Sequence, residues 1–179
     1  MRQIYSRAQQ KLDIPKVHYS VLLGFLEVLD DLGGKSDVAE IASKQGLELD
    51  YLLPILESGE MLGFIQVQSG DVSITEKGHL FIAASPKVRK KILRDIIIHF
   101  ETFRKLVDLI KQSENGHIRK DELLEFISAN GATTDTTDND ELNDFDWIIE
   151  WGREALILNY NANTENIALR KRSLSMVPS

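Results

Sequence analysis

The stretch from Asp50 to Gly78 constrains the fold of this chain more than any other part of the sequence. Apolar residues follow Asp50 at helical spacing, which predicts a helix with that aspartate as its N-cap and with Gly63 at its end. Two alternating segments then predict a hairpin around Ser69-Gly70-Asp71, and Thr75 is placed to cap the next helix. The predicted core positions of the first helix are Leu52, Leu53, Leu56, Met61 and Leu62, and the predicted strands are Phe64–Val67 and Val72–Ile74.

The residues before this stretch predict two more helices. The first runs from Tyr19 to Leu32 and ends at Gly33-Gly34, and the second runs from Val38 to Lys44 after a cap at Ser36 or Asp37. Three helices followed by a hairpin are the order of a winged helix-turn-helix domain, in which the hairpin is the wing. We therefore expect the third helix, which follows Asp50, to occupy the position of a DNA-reading helix.

The second half of the chain repeats this order. A long apolar stripe predicts a helix from Lys87 to Lys111. The pattern also allows this helix to break near His99 to Thr102, with Thr102 as a second cap. The further predicted elements are helices Arg119–Asn130 and Asp140–Glu154, a loop at Ala132–Asn139, and strands Leu156–Tyr160 and Asn166–Leu169.

The predicted fold is mainly α with small β wings (α+β), in which tandem winged-helix-like domains are joined by a long helix. The predicted divisions are an N-terminal leader (1–16), a winged-helix domain (17–85), the long connecting helix with a second winged-helix-like domain (86–170), and a disordered tail (171–179).

The composition excludes several function classes. Cysteine is absent, which excludes a disulfide framework, a thiolate metal site and a cysteine nucleophile. The four histidines lack metal-ligand spacing and no catalytic motif is present, so we predict no enzymatic activity and no cofactor. Gly33-Gly34-Lys35-Ser36 lacks the earlier glycine of a phosphate loop, because that position is Leu29. Since no signal peptide and no apolar run of about 20 residues is present, we expect a cytoplasmic protein.

Charge decides how the predicted reading helices could be used. The net charge is −7, and the third helix with its wing carries Asp50, Glu57, Glu60 and Asp71. DNA-binding helices contact phosphates through Lys and Arg, so these carboxylates argue against nucleic acid. The acidity fits either ordinary solubility or a face for a basic protein partner. The matching helix of the second half is acidic too, with Asp140, Glu141, Asp144, Asp146, Glu150 and Glu154 against Arg153.

Positive charge and tryptophan mark two further candidate regions. The start of the long helix carries a basic cluster that is either a solvated face or a docking surface for an acidic partner, membrane head groups or nucleic-acid backbone. Trp147 and Trp151 lie one helical turn apart, a spacing that favours core or domain-interface residues, and Gly152 permits close packing of another element. Besides the four acidic residues of the third helix and wing, the candidate interaction residues are Lys87, Arg89, Lys90, Lys91, Arg94, Trp151 and Arg153.

A set of short motifs spans most of the chain. They are Leu32-Gly33-Gly34, Asp50-Tyr51-Leu52-Leu53-Pro54, Leu62-Gly63-Phe64, Gly70-Asp71-Val72 and Ile149-Glu150-Trp151-Gly152-Arg153. The set resembles the AAA-associated C-terminal domain family, which is found behind the ATP-binding subunit of nitrate, sulfonate and bicarbonate-type ABC transporters. The resemblance implies a non-enzymatic regulatory or interaction domain whose partner is an ABC-type ATPase subunit or a permease complex. No ATP site precedes it, so the chain is either a domain cut from a larger subunit or a free-standing relative.

Other functions stay open at this stage. The main alternative is a DNA-binding transcriptional regulator that uses the wings and the basic face from Lys87 to Arg94. A small effector could instead bind between the two halves near Trp147 and Trp151. Peripheral membrane association through a partner and a homodimer are also open.

Overall fold

The chain passes twice through a similar order of helices and strands, and we call these two parts the first run and the second run. The computed structural model describes residues 12–131 and 138–171. Within these ranges the first run comprises α1 (Tyr19–Asp31), β1 (Lys35–Asp37), α2 (Val38–Gln45), α3 (Leu49–Met61), β2 (Ile65–Gln68), β3 (Asp71–Ile74) and α4 (Glu76–Ala83). After α5 (Pro86–Ile97) the second run comprises α6 (Glu101–Gln112), β4 (His117–Arg119), α7 (Lys120–Asn130), α8 (Asp138–Glu154), β5 (Leu158–Asn161) and β6 (Asn166–Leu169).

The predicted α+β class with two winged-helix-like units is confirmed, but each wing has three strands rather than two. The strand orders are β1-β3-β2 and β4-β6-β5, and all neighbours are antiparallel. The sequence prediction missed β1 and β4, because three residues are too few for an alternation to be recognised. Asp71, predicted as part of the turn, instead opens β3, and Ser69 and Gly70 alone make the turn with φ angles of 54° and 89°.

The predicted long connecting helix is two separate helices, α5 and α6. The chain is not helical from Ile98 to Phe100, between them. Thr102 does not cap α6; it lies in the first turn, and the cap comes from Asp13, far away in sequence. The Asp13 carboxylate accepts the backbone N–H groups of Glu101 and Thr102 at 2.6 and 2.8 Å, and the Thr102 hydroxyl donates to it at 2.5 Å. A carboxylate at a helix N-terminus satisfies donors that have no partner within the helix.

The third helix begins two residues earlier than predicted. Glu48 is its N-cap, so Asp50 lies in the first turn and is not the cap. Its buried face includes Leu52, Ile55 and Leu56, whereas Leu53 is 51% exposed. A helix turns by about 100° per residue, so a residue three after Leu52 stays on the core side and the residue directly after it does not. Met61 of this helix was also predicted as core and is 38% exposed.

The two runs correspond residue by residue at the end of the reading helix. Phe64 N–H donates to the Gly59 carbonyl at 2.9 Å, and Ile157 N–H donates to the Gly152 carbonyl at 2.8 Å. A Cβ on Gly59 would lie 2.7 Å from Ile65 Cδ1, and one on Gly152 would lie 2.5 Å from Leu158 Cδ1. Because neither glycine has a side chain, β2 can cross close to α3 and β5 can cross close to α8. The close packing predicted at Gly152 is therefore present.

The last residues of the predicted leader belong to the core. Leu12 and Ile14 of the predicted leader, and Val17 directly after it, are buried without regular secondary structure, so the described part of this segment packs into the core. All the buried apolar side chains of both runs, including Leu93 and Ile97 of α5, form one connected cluster. The expectations for residues 1–11, for the loop at 132–137 and for the tail from residue 172 lie outside the described residues. The predicted boundary near residue 85 stays a prediction.

Candidate protein-binding faces

The outward face of α3 combines acidic and apolar side chains. Asp50, Glu57 and Glu60 are exposed there, together with Leu49 and Leu53. This follows from the helical period, which places Asp50 and Glu57 opposite the buried face of α3 and the other three residues toward one edge of it. Tyr51, 56% exposed, lies at the start of the helix, and the exposed Leu47 precedes it. The sequence predicted the charge of this face but assigned Leu53 to the core.

The acidic candidates differ in how they are used. Glu60 accepts the backbone N–H of Val67 at 2.8 Å and so satisfies a donor of the edge strand β2. Asp71 pairs with Lys35 at 2.8 Å, an exposed contact that contributes little stability. Asp50 and Glu57 have no hydrogen bond or ion pair with any residue that the structure describes. Within the part of the chain that the structure describes, the carboxylates of Asp50 and Glu57 on the outward face of α3 are therefore free.

The corresponding helix of the second run, α8, is covered by the chain's own N-terminal segment. Lys16 Nζ lies 2.7 Å from Asp144, and the His18 ring nitrogen Nδ1 lies 2.8 Å from Glu150. The other oxygen of Glu150 accepts the backbone N–H of Tyr19, the first residue of α1, at 2.8 Å. Glu150 thus completes the α1 N-terminus, which lacks a side-chain cap from His18.

Aromatic residues hold the same segment on α8. The Trp151 indole is fully buried, and its N–H donates to the Val17 carbonyl at 3.1 Å. Tyr19 packs edge-on against Trp151 at 6.0 Å between ring centroids, and His18 packs against Trp147 at 4.8 Å. Burial raises the pKa of Tyr19, an effect that Arg89 opposes and Glu154 reinforces. The segment from Lys16 to Tyr19 thus occupies the place beside the tryptophans that the sequence suggested for an effector.

Trp151 therefore cannot contact a partner in this conformation, because its indole is enclosed by the core. Its predicted role as a core or interface residue is confirmed, whereas its expected part in an interaction surface has no exposed atoms to support it. Arg153, one turn short of the wing, is exposed on α8. Nothing in the local sequence could have revealed the contact with residues 16–19, since the partners lie more than 125 positions apart.

The basic cluster at the start of α5 is largely engaged inside the molecule. Arg89 donates to the carbonyls of Phe81 and Ile82 at 3.1 and 2.5 Å and so completes the end of α4. Lys90 pairs with Glu154 at 2.9 Å, and Arg94 donates to the Leu156 carbonyl. Of the five residues, only Lys87 and Lys91 are exposed, so the cluster mainly holds α5 against α4 and the end of α8.

The described part of the chain gives no support for metal chemistry or a membrane span. Within residues 12–131 and 138–171, no three His, Asp or Glu side chains come together as metal ligands. No helix in these ranges combines the length and apolar character that crossing a bilayer requires.

The comparisons with known proteins give one match. Searches of the curated proteins and of the solved structures found no significant match. The sequence profile of the family described as "C-terminal AAA-associated domain" matches residues 39–161, more than half of the chain. These residues run from α2 to β5 and include both acidic reading helices. The family is one of accessory domains of AAA and ABC ATPases, not of catalytic domains. The chain is a member of the C-terminal AAA-associated domain family.

Proposed function

We propose that this chain is a non-enzymatic regulatory domain that binds an ABC-type transporter ATPase of the nitrate, sulfonate and bicarbonate class in the cytoplasm. Family membership supports the ATPase as the partner. The observation that carries the proposal is the outward face of α3, where free carboxylates of Asp50 and Glu57 stand beside exposed Leu49 and Leu53. Apolar anchors bounded by charge are the composition of a protein interface.

Nucleic acid is the less favoured partner. Reading helices approach phosphates, and a helix that presents Asp50, Glu57 and Glu60 would meet them with like charge. Three of the five basic residues at the start of α5 are engaged, since Arg89, Lys90 and Arg94 have partners within the chain, and only Lys87 and Lys91 of that cluster are exposed. A gel shift with genomic fragments at low salt is the direct check, and retention that disappears on adding salt would favour the regulator alternative.

Co-purification tests the proposed partner. We expect the tagged full-length chain to recover an ABC-type ATPase, identified by mass spectrometry after crosslinking in cells. The double charge reversal Asp50→Lys/Glu57→Lys should lower this recovery about tenfold or more, because opposed like charges across an interface cost affinity. Glu125→Lys, at an exposed position on α7, is the matched control and should leave recovery unchanged. Recovery of no ABC-type ATPase by the wild-type chain would overturn the proposal.

A further inference from the structure

The way α8 binds residues 16–19 gives a template for what α3 binds. The two helices are aligned by equivalent backbone hydrogen bonds, in which Leu62 N–H donates to Ser58 and Ala155 N–H donates to Trp151. Counting back along both helices pairs Glu57 with Glu150. The same count pairs Tyr51 with Asp144, Pro54 with Trp147 and Met61 with Glu154.

The template has a defined chemistry. On α8 the central carboxylate, Glu150, receives two donors at 2.8 Å: the His18 ring and the backbone N–H that opens α1. Lys16 pairs with Asp144 one turn and a half earlier, and Lys90 pairs with Glu154 one turn later. The face of α8 therefore binds basic side chains followed directly by a helix N-terminus.

On α3 three of the four equivalent positions are exposed, and the fourth, Pro54, is half-buried. We call Tyr51, Pro54, Glu57 and Met61 the α3 stripe; their spacing of three or four residues places them along one side of the helix. Tyr51 is 56% exposed, Met61 is 38% exposed and Glu57 has no partner among the described residues. Among the described residues, the chain's own N-terminal segment donates a hydrogen bond to α3 next to this stripe, from Lys16 N–H to Ser58 Oγ at 3.2 Å.

We propose that the α3 stripe binds a segment of the partner protein in which a basic residue directly precedes a helix N-terminus. Glu57 takes the place of Glu150, and accepts both the basic side chain and the first free backbone N–H groups of the partner helix. Charge complementarity supports this occupant, since a helix N-terminus and a basic residue are both positive and Glu57 is an unpaired carboxylate. Tyr51, Pro54 and Met61 supply apolar contacts. Tyr51 and Met61 stand where α8 has the charged residues Asp144 and Glu154.

This inference deepens the proposed function and rests on it only for the identity of the partner, so a defined peptide can test the stripe alone. The probe is a synthetic peptide of residues 14–31 of this chain, which carries Lys16 and His18 ahead of the α1 sequence. Titrated into the isotope-labelled full chain, it should shift the amide resonances of Tyr51, Glu57 and Met61. Glu57→Gln should weaken binding about tenfold, because hydrogen bonds to a charged acceptor are lost. A peptide with both basic residues replaced by Glu should not bind.

The outcomes separate the two proposals. Glu125→Gln is the matched control and should bind the peptide like the wild type, and the melting temperature of each variant checks that it is folded. Shifts that are absent, or confined to α8, or unaffected by Glu57→Gln, overturn the stripe proposal whether or not an ATPase co-purifies. Crosslinks from position 51 to residues 1–11 of the same chain or to a second copy would overturn it as well, because the stripe would then have another occupant. Normal peptide binding without any ATPase recovery would overturn the proposed function alone.

Discussion

At the level of single residues, two glycines determine how closely a wing strand can approach its helix. Gly59 and Gly152 occupy equivalent positions in α3 and α8, where any Cβ would overlap Ile65 or Leu158. Gly24, in the middle of α1, has no atom within 4 Å of the place where its Cβ would stand. Gly59 and Gly152 are thus crowded whereas Gly24 is open, so the equivalent pair and Gly24 respond differently to substitution.

Gly152→Ala should destabilise the protein by about 1–3 kcal/mol, because the added methyl group overpacks against Leu158. Gly24→Ala should instead stabilise it by about 0.5–1 kcal/mol, because alanine loses less conformational entropy in a helix. Urea denaturation followed by circular dichroism measures both. A Gly152→Ala variant as stable as the wild type would show that β5 can move away from α8 at no cost.

Two further equivalent residues share a left-handed backbone conformation but differ in residue type. Glu165 has a φ of 55° at the position where the first wing has Gly70 with a φ of 89°. In both wings the carbonyl of this residue accepts a backbone N–H, from Val38 in the first and from Lys120 in the second, so the equivalence is conformational as well as positional.

Glu165→Gly should therefore stabilise the second wing by up to about 1 kcal/mol, since a left-handed backbone costs other residues about 1–2 kcal/mol. The loss of the 3.8 Å contact with Arg119 matters little, because both side chains are exposed. Gly70→Ala should cost about 1–2 kcal/mol, since its Cβ would make only an ordinary 3.8 Å contact and the backbone term remains. Thermal melts of both variants test the pair, and equal effects in the same direction would contradict the argument.

At the level of elements, helix ends are completed by residues outside the helix, in two cases from far away in sequence. Asp13 caps α6, Glu150 caps α1 and Arg89 completes the end of α4. Each of these contacts joins one element to another part of the molecule, so the caps also position the helices relative to one another.

Asp13→Ala should lower stability by about 1–2 kcal/mol, the cost of losing an N-cap. For a protein of this size we expect a fall in melting temperature of about 2–4 °C per kcal/mol. Asp108→Ala, at an exposed position within α6 itself, is the control and should have little effect. If both variants melt at the wild-type temperature, α6 does not depend on the carboxylate of Asp13.

The sequence predicted most helices and strands, but not the tertiary contacts that join them. Local signals sufficed where a single residue ends or caps a helix: Thr75 caps α4 by accepting the Gly78 N–H at 3.1 Å, and Gly63 follows the end of α3 with a φ of 74°. The helical spacing of apolar residues could not show that Ile55 is buried and Leu53 exposed, because α3 is rich in leucine. The candidate partner-binding faces depend on which carboxylates have no partner within the chain. The hydrogen bond from the Tyr19 N–H to Glu150 could not be recognised without the fold.

For the whole molecule, the two units share one core. The apolar cluster runs from Leu12 through α5 to the second wing, and the buried Trp151 of the second unit bonds to Val17 just before the first. We therefore expect a single cooperative unfolding transition with no populated state in which one unit is folded alone.

Native-state hydrogen exchange tests this cooperativity. The slowest amides of β3 and of β6 should exchange with the same free energy, because both sheets open only by global unfolding. Exchange that is faster in one sheet by more than about tenfold, equivalent to about 1.4 kcal/mol, would contradict a shared core and indicate separate units.

The central claim is that the helix in the DNA-reading position of the first unit contacts an ATPase. Photo-crosslinking in cells tests it most directly, with benzoylphenylalanine placed at Leu53 on the outward face of α3 and, as a control, at Glu125 on α7. Position 53 should yield an adduct with an ABC-type ATPase subunit and position 125 should not. Crosslinks from position 53 to DNA, or none at all beside a crosslinked position 125, would contradict the claim.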